Sequence, residues 1–392
     1  MSDNRSARTV AAANGIATDR AFGAVAPPLY LSSTFAFAGF QQARRYDYTR
    51  TANPSRDLLA DTLTKLEAGA GAVVVSSGMA AIDLLLAQLK PDDLVVAPHD
   101  CYAGTYRLLN ARRERAQFDV LFVDQTDERA LSAAMERSPA LVLVETPSNP
   151  LMRITDIRAV ATLTRAVRAK LAVDNTFLSP ALQKPLTLGA DFVIHSTTKY
   201  LNGHSDVVGG AVVAAEKADA QRLADWANVI GVAGAPFDAY LTLRGLRTLF
   251  PRIECQQRTA GALAERLERH PRVRAVYYPG LPNHPGHVVA KAQQAGFGAM
   301  LSFDLVGDGE DVRRFVEALK LFTLAESLGG VESLIAHPAT MTHSCLSPDI
   351  RCRAGISDTL LRVSVGLESE EDLWDDLSQG FRALDASGGV SK

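Results

Sequence analysis

The chain has 392 residues, a formal net charge of -3, 47% hydrophobic and 22% charged residues. That length exceeds one ordinary core and calls for two domains plus an arm, and the composition is that of a globular rather than a disordered chain. The near-neutral charge gives no sign of a surface for nucleic acid or an anionic membrane, and no run approaches the ~18 uninterrupted apolar residues of a membrane span.

Met1 to Arg5 lack the basic-then-apolar layout of a secretory leader. The cysteines, Cys101, Cys255, Cys345 and Cys352, contain no C-x-x-C pair. Four in so long a chain form no disulfide framework, so a reduced, cytoplasmic protein is expected. Cys345 and Cys352 near His343 match no usual zinc spacing, and no metal is expected.

Residues 1–60 read as an arm. They hold short apolar pieces (Pro27 to Leu31), turn formers and an aromatic-basic run from Arg44 to Arg50. Such a segment has little core of its own and is expected to lie against a neighbouring subunit. From Asp61 to Gln256 apolar runs of strand length recur: 72–75, 94–97, 120–123, 141–144, 171–173, 192–194 and 211–213. Helix-period segments separate several of them. In Asp156 to Lys170, for example, Ile157, Val160, Leu163 and Val167 share a face. Alternation of this kind predicts an α/β domain with a mostly parallel sheet covered by helices. Residues 257–392 change texture. A helix over Ala260 to Arg269, strands near 273–277, 299–305 and 361–365, helices near 311–319 and 370–384, and a loose tail from Ser387 predict a smaller α+β domain.

The chemistry collects at the ends of the apolar runs. Lys199 follows Asp191 to Ile194, flanked by Ser196 and Thr198, and Asp174 ends the run before it. A lone lysine is usually a solvated charge, and a strand-end aspartate often a turn or cap. Together, however, a lysine, hydroxyls and a buried-looking carboxylate are what pyridoxal phosphate requires. The amine forms a Schiff base, the hydroxyls bind phosphate and the carboxylate pairs with the pyridine nitrogen. Ser77-Gly78-Met79 turns from a strand into an apolar helix, where the Gly78 and Met79 N–H groups can hold phosphate. Tyr102 follows another strand and can stack on a ring. Asn149, after Glu145, can bind cofactor or a carboxylate. Arg362, inside a strand-like run, suits bidentate binding of an amino-acid carboxylate, unless it is a solvated arginine on an edge strand. Neither a G-x-G-x-x-G nor a G-x-x-x-x-G-K-[ST] pattern accompanies these runs, which speaks against nicotinamide and nucleotide-triphosphate loops.

On the runs Tyr48 to Arg56, Ser77 to Ala80, Glu145 to Pro150, Val173 to Phe177 and Ser196 to His204, the chain resembles the cysteine/methionine-metabolism family of pyridoxal-phosphate enzymes, fold type I. The likeness spans about Asn14 to Leu384. The resemblance implies that Lys199 carries the cofactor and shuttles protons, that Asp174 pairs with the ring nitrogen, and that Tyr102 stacks on the ring. Gly78, Met79, Ser196 and Thr198 would bind phosphate, with Tyr48 and Arg50 arriving from the neighbouring subunit of a homotetramer built from two active dimers. Arg362, Asn149 and the Ser327 backbone would hold the substrate carboxylate, and Arg107 an acidic substrate tail. Ala97 to Tyr102, Phe322 to Ser333 and Ala339 to His343 point to the bacterial γ-replacement branch. There Glu326 would stand where β-lyases carry an aromatic. Gly104 argues against the methionine γ-lyase branch, which places a cysteine there. The expected reaction joins O-succinyl-L-homoserine to L-cysteine, releasing succinate. γ-Elimination, sulfhydrylation of a homoserine ester, and a non-catalytic cofactor-binding module are the alternatives.

Overall fold

Continuous runs of Val, Leu, Ile and Ala become strands because only the interior of a covered sheet buries both of their faces. The structure, a computed structural model, describes residues 5–344 and 346–387. Cys345 and, of the expected tail, Gly388 to Lys392 lie outside the described residues. The chain begins with α1 (Ala7–Ala13) and α2 (Pro54–Leu66). It continues through β1 (Gly71–Val75), α3 (Gly78–Leu86), β2 (Leu94–Pro98), α4 (Ala103–Glu114), β3 (Asp119–Val123), α5 (Glu128–Met135) and β4 (Leu141–Glu145). Next come α6 (Ile157–Val167), β5 (Lys170–Asp174), the short α7 (Ser179–Leu182) and α8 (Pro185–Leu188), β6 (Phe192–Ser196) and β7 (Gly210–Ala214). Helices α9 (Lys217–Ile230), α10 (Pro236–Leu246) and α11 (Leu249–Glu268) follow. The remainder is β8 (Val273–Tyr277), α12 (His287–Gln293), β9 (Met300–Leu305), α13 (Gly309–Glu317), β10 (Thr323–Leu324), β11 (Leu334–Ala336), α14 (Pro348–Ala354), β12 (Leu360–Ser364) and α15 (Glu370–Ser387).

Strands β1 to β7 form one sheet in the order β1-β7-β6-β5-β4-β2-β3. Only β7 runs against the others, pairing antiparallel with both β1 and β6. Strands β8 to β12 form a second sheet in the order β10-β11-β12-β9-β8, antiparallel except for β10 with β11. The α/β class with a mostly parallel sheet is therefore the observed one. Apolar residues on one face of the first sheet (Val193, Ala211, Val213) share a continuous core with α11 (Ile253, Ala260, Leu263) and the second sheet (Leu301, Phe303, Val363). That shared core holds the two sheets in fixed relation, which is what brings side chains from both into one site.

Several expected boundaries move, each for a local reason. The amphipathic helix expected to Lys170 stops at Val167, because Arg168 takes the left-handed conformation (φ 60°) and Lys170 already begins β5. The divisions after residues 60 and 256 fall inside α2 and α11, continuous helices that the apolar-run pattern did not resolve. In the arm, α1 buries Val10 and Ala11 in the core that contains Leu59 and Leu63 of α2, so this part packs on its own chain. The stretch between α1 and α2 carries only isolated bridges, Thr34 with Tyr48 and Gly39 with Gln42. It leaves Phe22 94% and Phe40 91% exposed, which an isolated core would not tolerate in quantity. Among the described residues, no helix is long and apolar enough to cross a membrane.

Candidate active site

The C-terminal ends of β2, β4, β5 and β6 open into one cavity of about 560 Å³, closed on the far side by the second sheet. Ligands collect at this edge of a parallel sheet because helix N-termini and loop side chains converge there. Lys199, Tyr102, Asp174, Gly78, Met79, Ser196, Thr198, Asn149, Glu326, Ser327, Arg362 and Arg107 all line it. Tyr48 and Arg50 do not. Arg50 donates to Asn228 O and Oδ1 at 2.7 and 2.6 Å, and its guanidinium lies 5.6 Å from the Tyr48 ring centroid.

Lys199 leaves the end of β6 in a turn and donates Nζ to Ser327 Oγ at 2.6 Å. Burial, with the Arg362 charge adding to it, lowers the Nζ pKa to about 8, against an opposing pull from Glu326. Ser327 holds φ at 84°, a left-handed backbone that a side-chain-bearing residue adopts at a cost. That conformation turns its hydroxyl to Lys199 and its carbonyl to Arg362, whose second terminal nitrogen donates at 2.8 Å.

Arg362 belongs to β12, an interior strand paired with β11 and β9, and is 3% exposed. The solvated-edge alternative is thereby excluded. Its other terminal nitrogen donates to Asn149 Oδ1 at 3.0 Å, among the described residues its Nε has no partner, and burial lowers its pKa to about 10. A buried guanidinium without a carboxylate, held by two neutral acceptors and with an orphaned nitrogen, is a site for an incoming anion.

Asp174 ends β5. Its Oδ1 accepts from Thr176 N at 3.0 Å, and among the described residues it has no ion-pair partner. Burial raises its pKa, while the Thr176 hydrogen bonds and the His195 charge oppose the rise. Opposite it, Ser77 caps α3 by accepting from Ala80 N at 3.1 Å, leaving the N–H groups of Gly78 and Met79 at the positive end of the helix. A Cβ on Gly78 would stand 2.8 Å from Ser196 Cβ, so only glycine lets α3 approach the β6 end this closely. Thr198 Oγ1 is on Gly209, donating to its carbonyl at 3.2 Å and accepting its N–H at 3.0 Å. A phosphate role for this hydroxyl requires it to turn.

These features fit pyridoxal phosphate: an anion cradle at α3, a carboxylate without an ion-pair partner among the described residues for a ring cation, Tyr102 in the wall of the same cavity, and an amine of lowered pKa. Three groups escaped the sequence reading. Glu145 accepts from Tyr102 N and Asn149 N, each at 2.9 Å. Its signal was available, since it ends an apolar strand just as Asp174 does. Thr176 also joins two site strands, accepting from Ser196 N at 2.9 Å. Met341 and Thr342, inside the Ala339 to His343 run but given no role there, line the cavity together with Ser344.

The sequence profile of the family described as Cys/Met metabolism PLP-dependent enzyme matches residues 8–382. The chain is 57% identical over 380 residues to cystathionine gamma-synthase of Escherichia coli (strain K12), covering 97% of this chain and 98% of that protein. It is 45% identical over 377 residues to cystathionine gamma-lyase of Bacillus subtilis (strain 168), covering 96% and 99%. Among solved structures it resembles cystathionine gamma synthase from Xanthomonas oryzae pv. oryzae in complex with aminoacrylate and cysteine. The TM-score is 0.96 at 57% identity, covering 97% of this chain and 99% of that one. The chain is a member of the Cys/Met metabolism family of PLP-dependent enzymes.

Proposed function

We propose that this enzyme performs γ-replacement, converting O-succinyl-L-homoserine and L-cysteine to L-cystathionine and succinate. The observation that carries the reading is 57% identity to cystathionine gamma-synthases over nearly the whole chain, with a carboxylate, Glu326, in the cavity wall beside Lys199 and Arg362. The cofactor, when bound, supplies an electron sink for the carbanions that form at the amino acid.

The protein residues do the rest. Arg362, steadied by Asn149 and the Ser327 carbonyl, binds the substrate α-carboxylate and orients Cα toward Lys199. Lys199 Nζ moves protons at Cα and then Cβ, a task suited to an amine whose pKa lies near 8. The Cγ–O bond breaks with its electron pair leaving on succinate, and the Cγ–S bond to cysteine replaces it, the thiol proton being given up. Arg107 holds the carboxylate of the succinyl tail, and Glu326 the amino group of the incoming cysteine. Gly78, Met79, Ser196 and Thr198 would hold the phosphate, Tyr102 would cover the ring, and Asp174 would pair with its nitrogen.

Residues 61–256 supply the cofactor half of the site together with Asn149 and Arg107, and residues 257–392 the rest of the substrate clamp, Arg362, Glu326 and Ser327. Residues 1–60 form the arm, whose Tyr48 and Arg50 complete the phosphate site of a neighbouring subunit in a cytoplasmic homotetramer. The cross-subunit role of the arm is supported by the position of Tyr48 and Arg50 away from this chain's cavity and by the exposed arm aromatics.

Supplying O-succinylhomoserine with cysteine, in parallel with cystathionine alone, tests the reaction. Cystathionine and succinate are expected from the first mixture. Breakdown of cystathionine with no synthesis would assign the enzyme to γ-elimination instead.

A further inference from the structure

Two loops of different parentage border the cavity. The one after β2 carries Tyr102 and the one after β4 carries Asn149, and β2 and β4 are adjacent parallel strands. Glu145 divides its carboxylate between them, with Oε2 on Tyr102 N and Oε1 on Asn149 N. A second tie runs the opposite way. Asp100, from the β2 loop, accepts from Ser148 Oγ at 2.7 Å and from Arg153 at 2.9 Å, both in the β4 loop. Arg153 in turn donates to Ala354 O at 2.9 Å, at the end of α14. The loops are thus cross-braced by two carboxylates, but only Glu145 touches the backbone of the two residues that face the ligand.

We infer that Glu145 is a positioning residue that makes the ring-covering tyrosine and the carboxylate clamp one mechanical unit, fixing Tyr102 and Asn149 relative to each other. This rests on the roles proposed above for Tyr102 and Asn149. Packing alone would not select a carboxylate here. Glu145 lies beside Asp174 in the strand register, and burial, together with that neighbouring charge, pushes its pKa well above the ordinary range. Such a group is costly to keep unless both oxygens are used. Two backbone N–H donors use both. Glutamine has the same shape, but its amide nitrogen would face an N–H donor, so only one of the two ties survives.

The test compares wild type with Glu145→Gln as holoenzymes. Two quantities are measured: the rate at which pyridoxal phosphate leaves, followed by its visible absorbance, and the apparent dissociation constant of glycine, read from its perturbation of that absorbance. Loss of one of the two backbone hydrogen bonds, which leaves a buried N–H unpaired, should raise the two together, each by about tenfold. If either quantity stays at the wild-type value, or if only the melting temperature falls, the joint role is wrong. Should the glutamine variant not fold, Glu145→Asp is judged by the same two readouts, since a side chain one methylene shorter cannot reach both N–H groups. A wild type that held no cofactor would overturn the reading of the site itself. A wild type that holds it and is matched by the variant overturns only this inference.

Discussion

Lys199 and Arg50 both stand in runs that mark them for cofactor chemistry, yet the fold treats them in opposite ways. Lys199 sits inside a cavity, bonded to a serine 128 residues away and pushed toward neutrality by burial. Arg50 sits on the outside, bonded to Asn228 and resting on Tyr48, which is 47% exposed. On the roles proposed above, the contrast separates a group that must react from one that must only be delivered. A reacting amine needs a low-dielectric setting that one chain can build alone. A phosphate-binding arginine gains from remaining fully charged until it meets its anion, and an exposed arm can carry it to another subunit.

The sharpest way to break this comparison is Lys199→Ala. Removing the proton-transferring amine should abolish the cofactor's protein-linked visible band and lower turnover by roughly 10⁴-fold, the upper end for a positioned acid–base group. Turnover near wild type would remove Lys199 from the reaction.

Arg50→Ala should have a smaller effect, weakening cofactor affinity by roughly 10- to 100-fold through loss of a charge-assisted phosphate contact. Mixing it with Lys199→Ala under conditions of subunit exchange then sharpens the comparison. A hybrid site that takes its lysine from one chain and its arm from the other contains no lesion, so turnover at wild-type cofactor affinity should return. If the mixture shows only the weakened affinity of Arg50→Ala, the arm serves its own chain.

The smallest expected change concerns pH. Because Nζ in the folded protein loses its proton near pH 8 rather than in the ordinary lysine range, its lone pair is mostly absent below that point and mostly present above it. Capture of added pyridoxal phosphate by the cofactor-free protein should therefore quicken by about tenfold between about pH 7 and pH 9. A rate that keeps rising steeply beyond about pH 10 would mean that burial does not lower this amine's pKa.

Strand-end chemistry was readable from the sequence because a buried strand must be apolar throughout. A charge at its last position, as at Asp174, or just beyond it, as at Lys199, then stands out against the run. Lys199, Asp174, Tyr102 and the Ser77-Gly78-Met79 turn could all be found this way, and the alternating strands and helices told the fold class. Glu145 carried the same signal but no known task, since nothing local says that its two oxygens face two different loops. Arg362 was visible as a charge in an apolar run. Whether it was solvated at an edge or buried at a clamp depended on which strands flank β12, and its bond to Asn149 spans 213 residues. The left-handed turn at Ser327, which serves Lys199 and Arg362 at once, left no trace in composition or period. Local pattern records what a residue needs from solvent, namely burial or exposure, and so it determined the elements and the chemical types at their ends. Hydrogen-bond partnership is decided by the shared core of the two sheets, which sets distances between residues that the chain itself keeps far apart.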